Sequence, residues 1–316
     1  MNDQVDSDRE EQDSPEESAP QEGMAGEGAS SETGSAAGSK RQVTLAVPPI
    51  DRLLVLLGAA AMVLSGLLSW IEVGPDAFPN FAGIGAGGGG VGLVVVLIGL
   101  ALLSGRPALD TANGVALGAF LASLVVVITL VDEVDADGVG MGAGAWVAMV
   151  GSLVALAGVA FGTMDPSRRP SRRVTHKAPA TLGAALAVIA SFWLDWSSGF
   201  SSGMVGSFPL PGGLDSDVAT GYPVLILGVL ILLLLLGLLS PTASAAMQAR
   251  MAMNIRMAGI AMVVLAAGDI AGTLMTSSLT GSGPVLTLVG ALMVTRSVGS
   301  TPEAEAGGET ADAAAT

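Results

Sequence analysis

Asp269 is the residue whose placement could do chemistry. It stands in an apolar run (257–276), about seven residues from one end, so about 10 Å deep at 1.5 Å per residue. A charge inside a bilayer is costly, and such residues usually face the interior of a helix bundle. Thr273 and Thr276 follow at i+4 and i+7 and share its helix face. The three define a candidate polar intramembrane site, suited to a cation or a proton. The structural alternative is a carboxyl held neutral, or one hydrogen-bonded to threonine and backbone.

Other chemistries fail on residue type or spacing. A serine hydrolase in the membrane needs a histidine there, and the single histidine, His176, lies in a basic loop. Metal hydrolysis needs clustered histidines and carboxylates, and the sequence has none. Intramembrane aspartyl proteases use Gly-x-Gly-Asp followed by Pro-Ala-Leu. Here Ala266-Ala267-Gly268-Asp269 lacks the first glycine, and Pro107-Ala108-Leu109 precedes it. The run Gly85 to Gly90 lacks the Lys-Ser/Thr that completes a phosphate loop. The acidic stretch 132–137 (DEVDAD) lacks the pattern of a dedicated calcium loop. No catalytic, cofactor-binding or metal residues are assigned, and no enzyme activity is expected.

The elements that position Asp269 follow from composition. The chain has 316 residues, 51% hydrophobic and 13% charged, with no cysteine and a net charge of −15. Globular domains average about 25% charged residues. Eleven acids and one arginine lie in residues 1–39, and four acids and no base in 301–316. Between them lies a near-neutral, apolar body with no basic face for nucleic acid. Eight apolar segments approach the roughly 20 residues that span a bilayer: 53–71, 84–104, 113–131, 142–162, 180–196, 221–240, 257–276 and 283–298. The expected fold class is all-α, a polytopic membrane protein with eight transmembrane helices. The flanking segments, 1–46 and 299–316, lack apolar periodicity and read as disordered acidic tails.

Basic residues orient the spans. With the N-terminus inside, all 13 lysines and arginines fall on inner segments or at an inner helix end, and the outer loops carry only acids. Both termini are therefore expected in the cytoplasm, with the protein multi-pass in the cytoplasmic membrane. No cleavable signal is expected, because the first apolar run starts only near Leu53. Trp70, Trp146, Trp193, Trp196 and Tyr222 fall near outer boundaries, where aromatic rings anchor at the lipid interface. Of these, Trp70, Trp196 and Tyr222 are the candidate anchors.

The body repeats itself. Residues 59–70 (AAAMVLSGLLSW) resemble 185–196 (ALAVIASFWLDW), and 142–151 (GAGAWVAMVG) resembles 281–290 (GSGPVLTLVG). Two four-helix units result, 47–162 and 180–298. Four crossings return the chain to its starting side, so the units are parallel repeats. The linker 163–179, with five bases and His176, reads as a hinge that sets topology; its functional reading is contact with anionic lipid or a partner. Gly144, Ala148, Gly151, Ala155, Gly158 and Gly162 form one small-residue face, and Gly283, Thr287 and Gly290 repeat its start. Small residues let helices approach closely in lipid. That face predicts an intramolecular seam, with a homo-oligomer contact as the alternative.

The half-repeat, carried by Ser65 to Trp70 and Ser191 to Trp196, resembles a widespread type of small, uncharacterised prokaryotic four-helix membrane protein. In these, helix one ends in an outer tryptophan, followed by a Gly-rich loop and a Leu/Val-rich helix two. The resemblance implies a tandem duplication and transfers no functional residue. Two lysines against eleven arginines, together with the acidic tails, resemble the composition of halophile proteins. The expectation is a non-enzymatic scaffold, accessory or envelope-associated component. Its partners are the lipid bilayer and either other membrane proteins or a second copy. The alternative is a small transporter or channel using Asp269 between the halves.

Overall fold

The computed structural model describes residues 49–73, 81–82, 89–137, 139–165, 171–194, 196, 208–209, 215–216, 221–275 and 281–300. Within them the chain is helical: α1 (Ile50–Ser65), α2 (Gly89–Leu103), α3 (Leu109–Asp137), α4 (Ala143–Met164), α5 (Lys177–Trp193), α6 (Gly221–Gly237), α7 (Ala245–Met275) and α8 (Ser282–Arg296). Three are long and apolar enough to cross a membrane, in α3 (Leu109–Ile128), α4 and α7. α2, α5, α6 and α8 are shorter apolar helices. The tails 1–46 and 301–316, Thr276 and Asp195 lie outside the described residues.

Short strands join the helix ends. β1 (Ser69–Val73) pairs antiparallel with β2 (Phe81–Ala82) and with β3 (Val139–Met141). β4 (Arg172–Val174) pairs with β7 (Val298–Ser300), and β5 (Phe208–Pro209) with β6 (Asp215–Ser216). α1 packs on α2 and α4, and α3 on α4. α5 packs on α6 and α8, and α7 on α8. α7 also meets α3 and α2.

Several boundaries differ from the sequence reading, each for a local reason. The first helix stops at Ser65 rather than reaching residue 71. Ser65 Oγ turns back to donate to the Met62 carbonyl (2.7 Å), and β1 takes over at Ser69. The stretch 245–256, expected as an inner loop, opens α7. It is rich in Ala, Met, Gln and Arg, all good helix formers, and the Met247 N–H bonds Ser244 Oγ (3.3 Å) as an N-cap contact. The acidic run 132–137 continues α3 rather than forming a loop. The linker is not a free hinge: β4 binds β7 in register, Arg172 opposite Ser300 and Val174 opposite Val298. Gly299 and Ser300, expected in a disordered tail, belong to that ladder.

α2 ends on Gly105, whose positive φ of 65° suits glycine. Its N–H returns to the Leu102 carbonyl (3.1 Å).

Alanine recurs throughout the core, beside valine, Met62, Met262 and the two tryptophans Trp70 and Trp196. Ala59, Ala116, Ala148, Ala187, Ala258 and Ala261 are among those fully buried, while Leu57, Leu97, Leu153, Leu182, Ile226 and Leu236 stand exposed.

Candidate functional site

Asp269 sits on α7, six residues before its end, and its residue exposure is 0%. Both carboxyl oxygens are buried, and neither has a hydrogen-bond partner. Thr273 is likewise buried, but its Oγ1 donates to the Ile270 carbonyl (2.9 Å) and leaves the carboxyl uncapped. α2 packs on this turn. A side-chain carbon at Gly90 would collide with the backbone of Gly268, Ala271 and Gly272. The Gly-rich entry to α2 thus ends in a close helix crossing at Gly90. Helix amino termini carry partial positive charge, and that of α2 lies against the turn bearing Asp269.

The tryptophans have a different position from the one expected. Trp70 and Trp196 are 0% and 1% exposed, so neither ring lies against lipid. Trp70 Nε1 donates to the Ser65 carbonyl (2.9 Å) and Trp196 Nε1 to the Ala190 carbonyl (3.1 Å). Both carbonyls belong to the last turn of their helix, where acceptors lack intrahelical donors. The backbone carbonyls of the same residues receive the N–H of Gly142 (2.9 Å) and of Gly281 (3.4 Å), which begin α4 and α8. Gly144 lies against the Trp70 indole with no room for a side chain. Tyr222, Trp193 and Trp146 remain exposed at 51%, 72% and 45%. Of the three candidate anchors, only Tyr222 presents its ring outward.

Gly144, Ala148, Gly151, Ala155, Gly158 and Gly162 are all buried along α4. Gly151 faces Gly58 and Ala61 of α1, and Gly158 faces Asp51 to Val55. In α8, Gly283, Thr287 and Gly290 are buried, and Gly290 faces Gly183 of α5. The stripe is thus a seam within the chain.

An ion cluster near the start of α3 went unseen in the sequence. Asp110, 0% exposed, receives Arg172 Nε of β4 (2.9 Å) and lies 3.1 Å from Arg256 Nε of α7. That second contact is not aligned as a hydrogen bond, and Asp110 Oδ1 has no partner. Arg256 Nη1 donates to the Val298 carbonyl (3.1 Å). One carboxylate therefore joins α3, β4 and α7. The available signal was Asp110 itself, an acid in an inner segment where the charges are otherwise mostly basic.

Two cavities lie nearby. One of about 560 Å³ is bordered by Asp51, Arg52, Leu102, Pro107 and Leu109. Another, of about 370 Å³, is bordered by Arg172, Arg173, Lys177, Leu238 and Gln248. Asp269 borders neither. Among the described residues, no three histidines or carboxylates converge as a metal site requires. No protein family, curated protein or solved structure matches the chain.

Proposed function

We propose that the chain is a non-enzymatic integral membrane protein whose eight helices all span the cytoplasmic membrane as two parallel four-helix repeats, with both termini cytoplasmic. Its role is that of a scaffold, accessory subunit or envelope-associated component. The observation that carries this reading is the distribution of side-chain size. Alanine and glycine fill many of the helix contacts, with valine beside them, while most leucines face outward. In water that arrangement would waste apolar burial. In lipid the outer face loses nothing, and close backbone packing holds the helices.

The repeat is supported by recurring contacts. α1 with α4 corresponds to α5 with α8, α1 with α2 to α5 with α6, and α3 with α4 to α7 with α8. Corresponding contacts recur in each half: Trp70 meets Gly142 and Trp196 meets Gly281, and close glycine crossings join Gly58 with Gly151 and Gly183 with Gly290. The distribution of bases supports the orientation.

The enclosure of Asp269 favours a scaffold over a conduit, since both its oxygens are buried. One observation favours the second reading, a small transporter or channel. An unpartnered buried carboxyl costs stability, and intramembrane carboxyls are commonly kept for function. Purified protein in sealed vesicles separates the two. The scaffold reading expects no proton- or cation-linked flux in wild type or Asp269→Asn. Flux in wild type that Asp269→Asn abolishes would replace it with the transporter reading.

A further inference from the structure

The 370 Å³ cavity lies where β4 meets the end of α6 and the start of α7. Its border comprises Ser171, Arg172, Arg173, Val174, Lys177, Leu238, Ala245, Gln248 and Ala249. Three of these are basic and none is acidic. Arg172 is engaged by Asp110, whereas Arg173 and Lys177 are exposed and pair with no carboxylate among the described residues. Lys177 Nζ reaches only the Leu238 carbonyl, at 3.4 Å. Counting Arg256, which also meets Asp110, the described residues here hold four bases against the single carboxylate of Asp110. Such an excess beside a cavity is unfavourable while empty and favours an anion.

The cavity borders a leucine-rich stretch of the chain that has an exposed apolar face. Leu230, Leu233, Leu236 and Leu239 stand 41%, 60%, 65% and 64% exposed along and just past α6. Leu238, in the same stretch, closes the cavity wall. A ligand that satisfies both features has a phosphate at one end and hydrocarbon at the other. Basic pockets between helices at the cytoplasmic face suit such head groups. We propose that this cavity is a binding site for the phosphate head group of an anionic glycerophospholipid, with Arg173 and Lys177 as its free charges and the outer face of α6 as the bed for its acyl chains. The proposal rests on the membrane reading above.

The test uses full-length protein purified in detergent, incorporated into neutral phosphatidylcholine nanodiscs, and titrated with phosphatidylglycerol. Retained lipid is read by native mass spectrometry. Wild type should keep phosphatidylglycerol over phosphatidylcholine by about tenfold, and the Arg173→Gln/Lys177→Gln double variant should lose most of that preference. A control that removes two exposed charges elsewhere, Arg52→Gln/Arg106→Gln, should keep it. Unchanged elution and unfolding temperature verify that the variants are folded. Equal retention of both lipids by wild type, or undiminished preference in the double variant, overturns the proposal. So does displacement of phosphatidylglycerol by equimolar inorganic phosphate, which would make this a site for the free anion. A chain that stays dispersed without detergent and enters no nanodisc overturns the membrane reading itself, an outcome distinct from incorporation without lipid preference.

Discussion

Trp70 and Trp196 close their helices from inside the bundle. Each indole N–H meets a last-turn carbonyl, and each backbone carbonyl receives the first N–H of a later helix. Trp70→Phe keeps most of the buried ring and removes the indole bond. It should cost about 1–2 kcal/mol in detergent unfolding, with Trp196→Phe similar. A surface anchor would lose far less. The sequence showed that Ser65 and Trp70 match Ser191 and Trp196 but not what they do, because proximity to a boundary does not reveal whether a ring points outward. Asp269 shows the reverse case. Its burial was legible from its place in an apolar run, while the course of Thr273 Oγ1 to the Ile270 carbonyl was not. An unpartnered carboxyl replaced by an apolar group of similar size leaves nothing unsatisfied. Asp269→Leu should therefore unfold at the same or a higher temperature than wild type, and a marked fall would assign the carboxyl a structural partner.

At the scale of elements, the crossing of α1 with α4 is set by glycine. A side-chain carbon at Gly58 would run into the backbone of Gly151 and Ala155, and neither helix can yield locally. Gly58→Ala should therefore cost 2 kcal/mol or more, an order set by overpacking, or prevent folding. Gly237 is the contrast. A carbon there meets only the flexible end of Met251, at 3.2 Å from its Cε. Gly237→Ala should be near neutral by the same unfolding assay. The helix-four stripe was readable because its 4-3-4 spacing is the helical period itself. The helix ends were less so. α7 begins twelve residues before the expected span, since good helix formers carry a helix beyond the apolar segment.

At the scale of the whole molecule, Asp110 fastens parts that the sequence places far apart. It links α3 to β4 and α7, and through Arg256 to β7. Removing one member of a buried ion cluster leaves the others uncompensated. Asp110→Ala should cost about 3 kcal/mol, and removing one of the two uncompensated guanidiniums with Arg172→Gln should recover part of that loss. Counting bases gave an expected orientation but hid this cluster, since the count treats every such charge as a topology signal. The proposed repeat rests, at the level of sequence, on matched motifs. That those motifs bind one another within each half required coordinates.

The central claim, eight spans in two parallel units with both termini inside, is tested most directly by site-specific labelling. The native chain has no cysteine, so single cysteines report without background. Intact cells are treated with a membrane-impermeant thiol reagent. Glu72→Cys and Ser282→Cys, at corresponding levels of the two units, should both label. Ser104→Cys, Ser171→Cys and Thr242→Cys should label only after the membrane is opened. Labelling of Ser282→Cys only in opened cells, with Glu72→Cys accessible throughout, would place the units in opposite orientations and contradict the account.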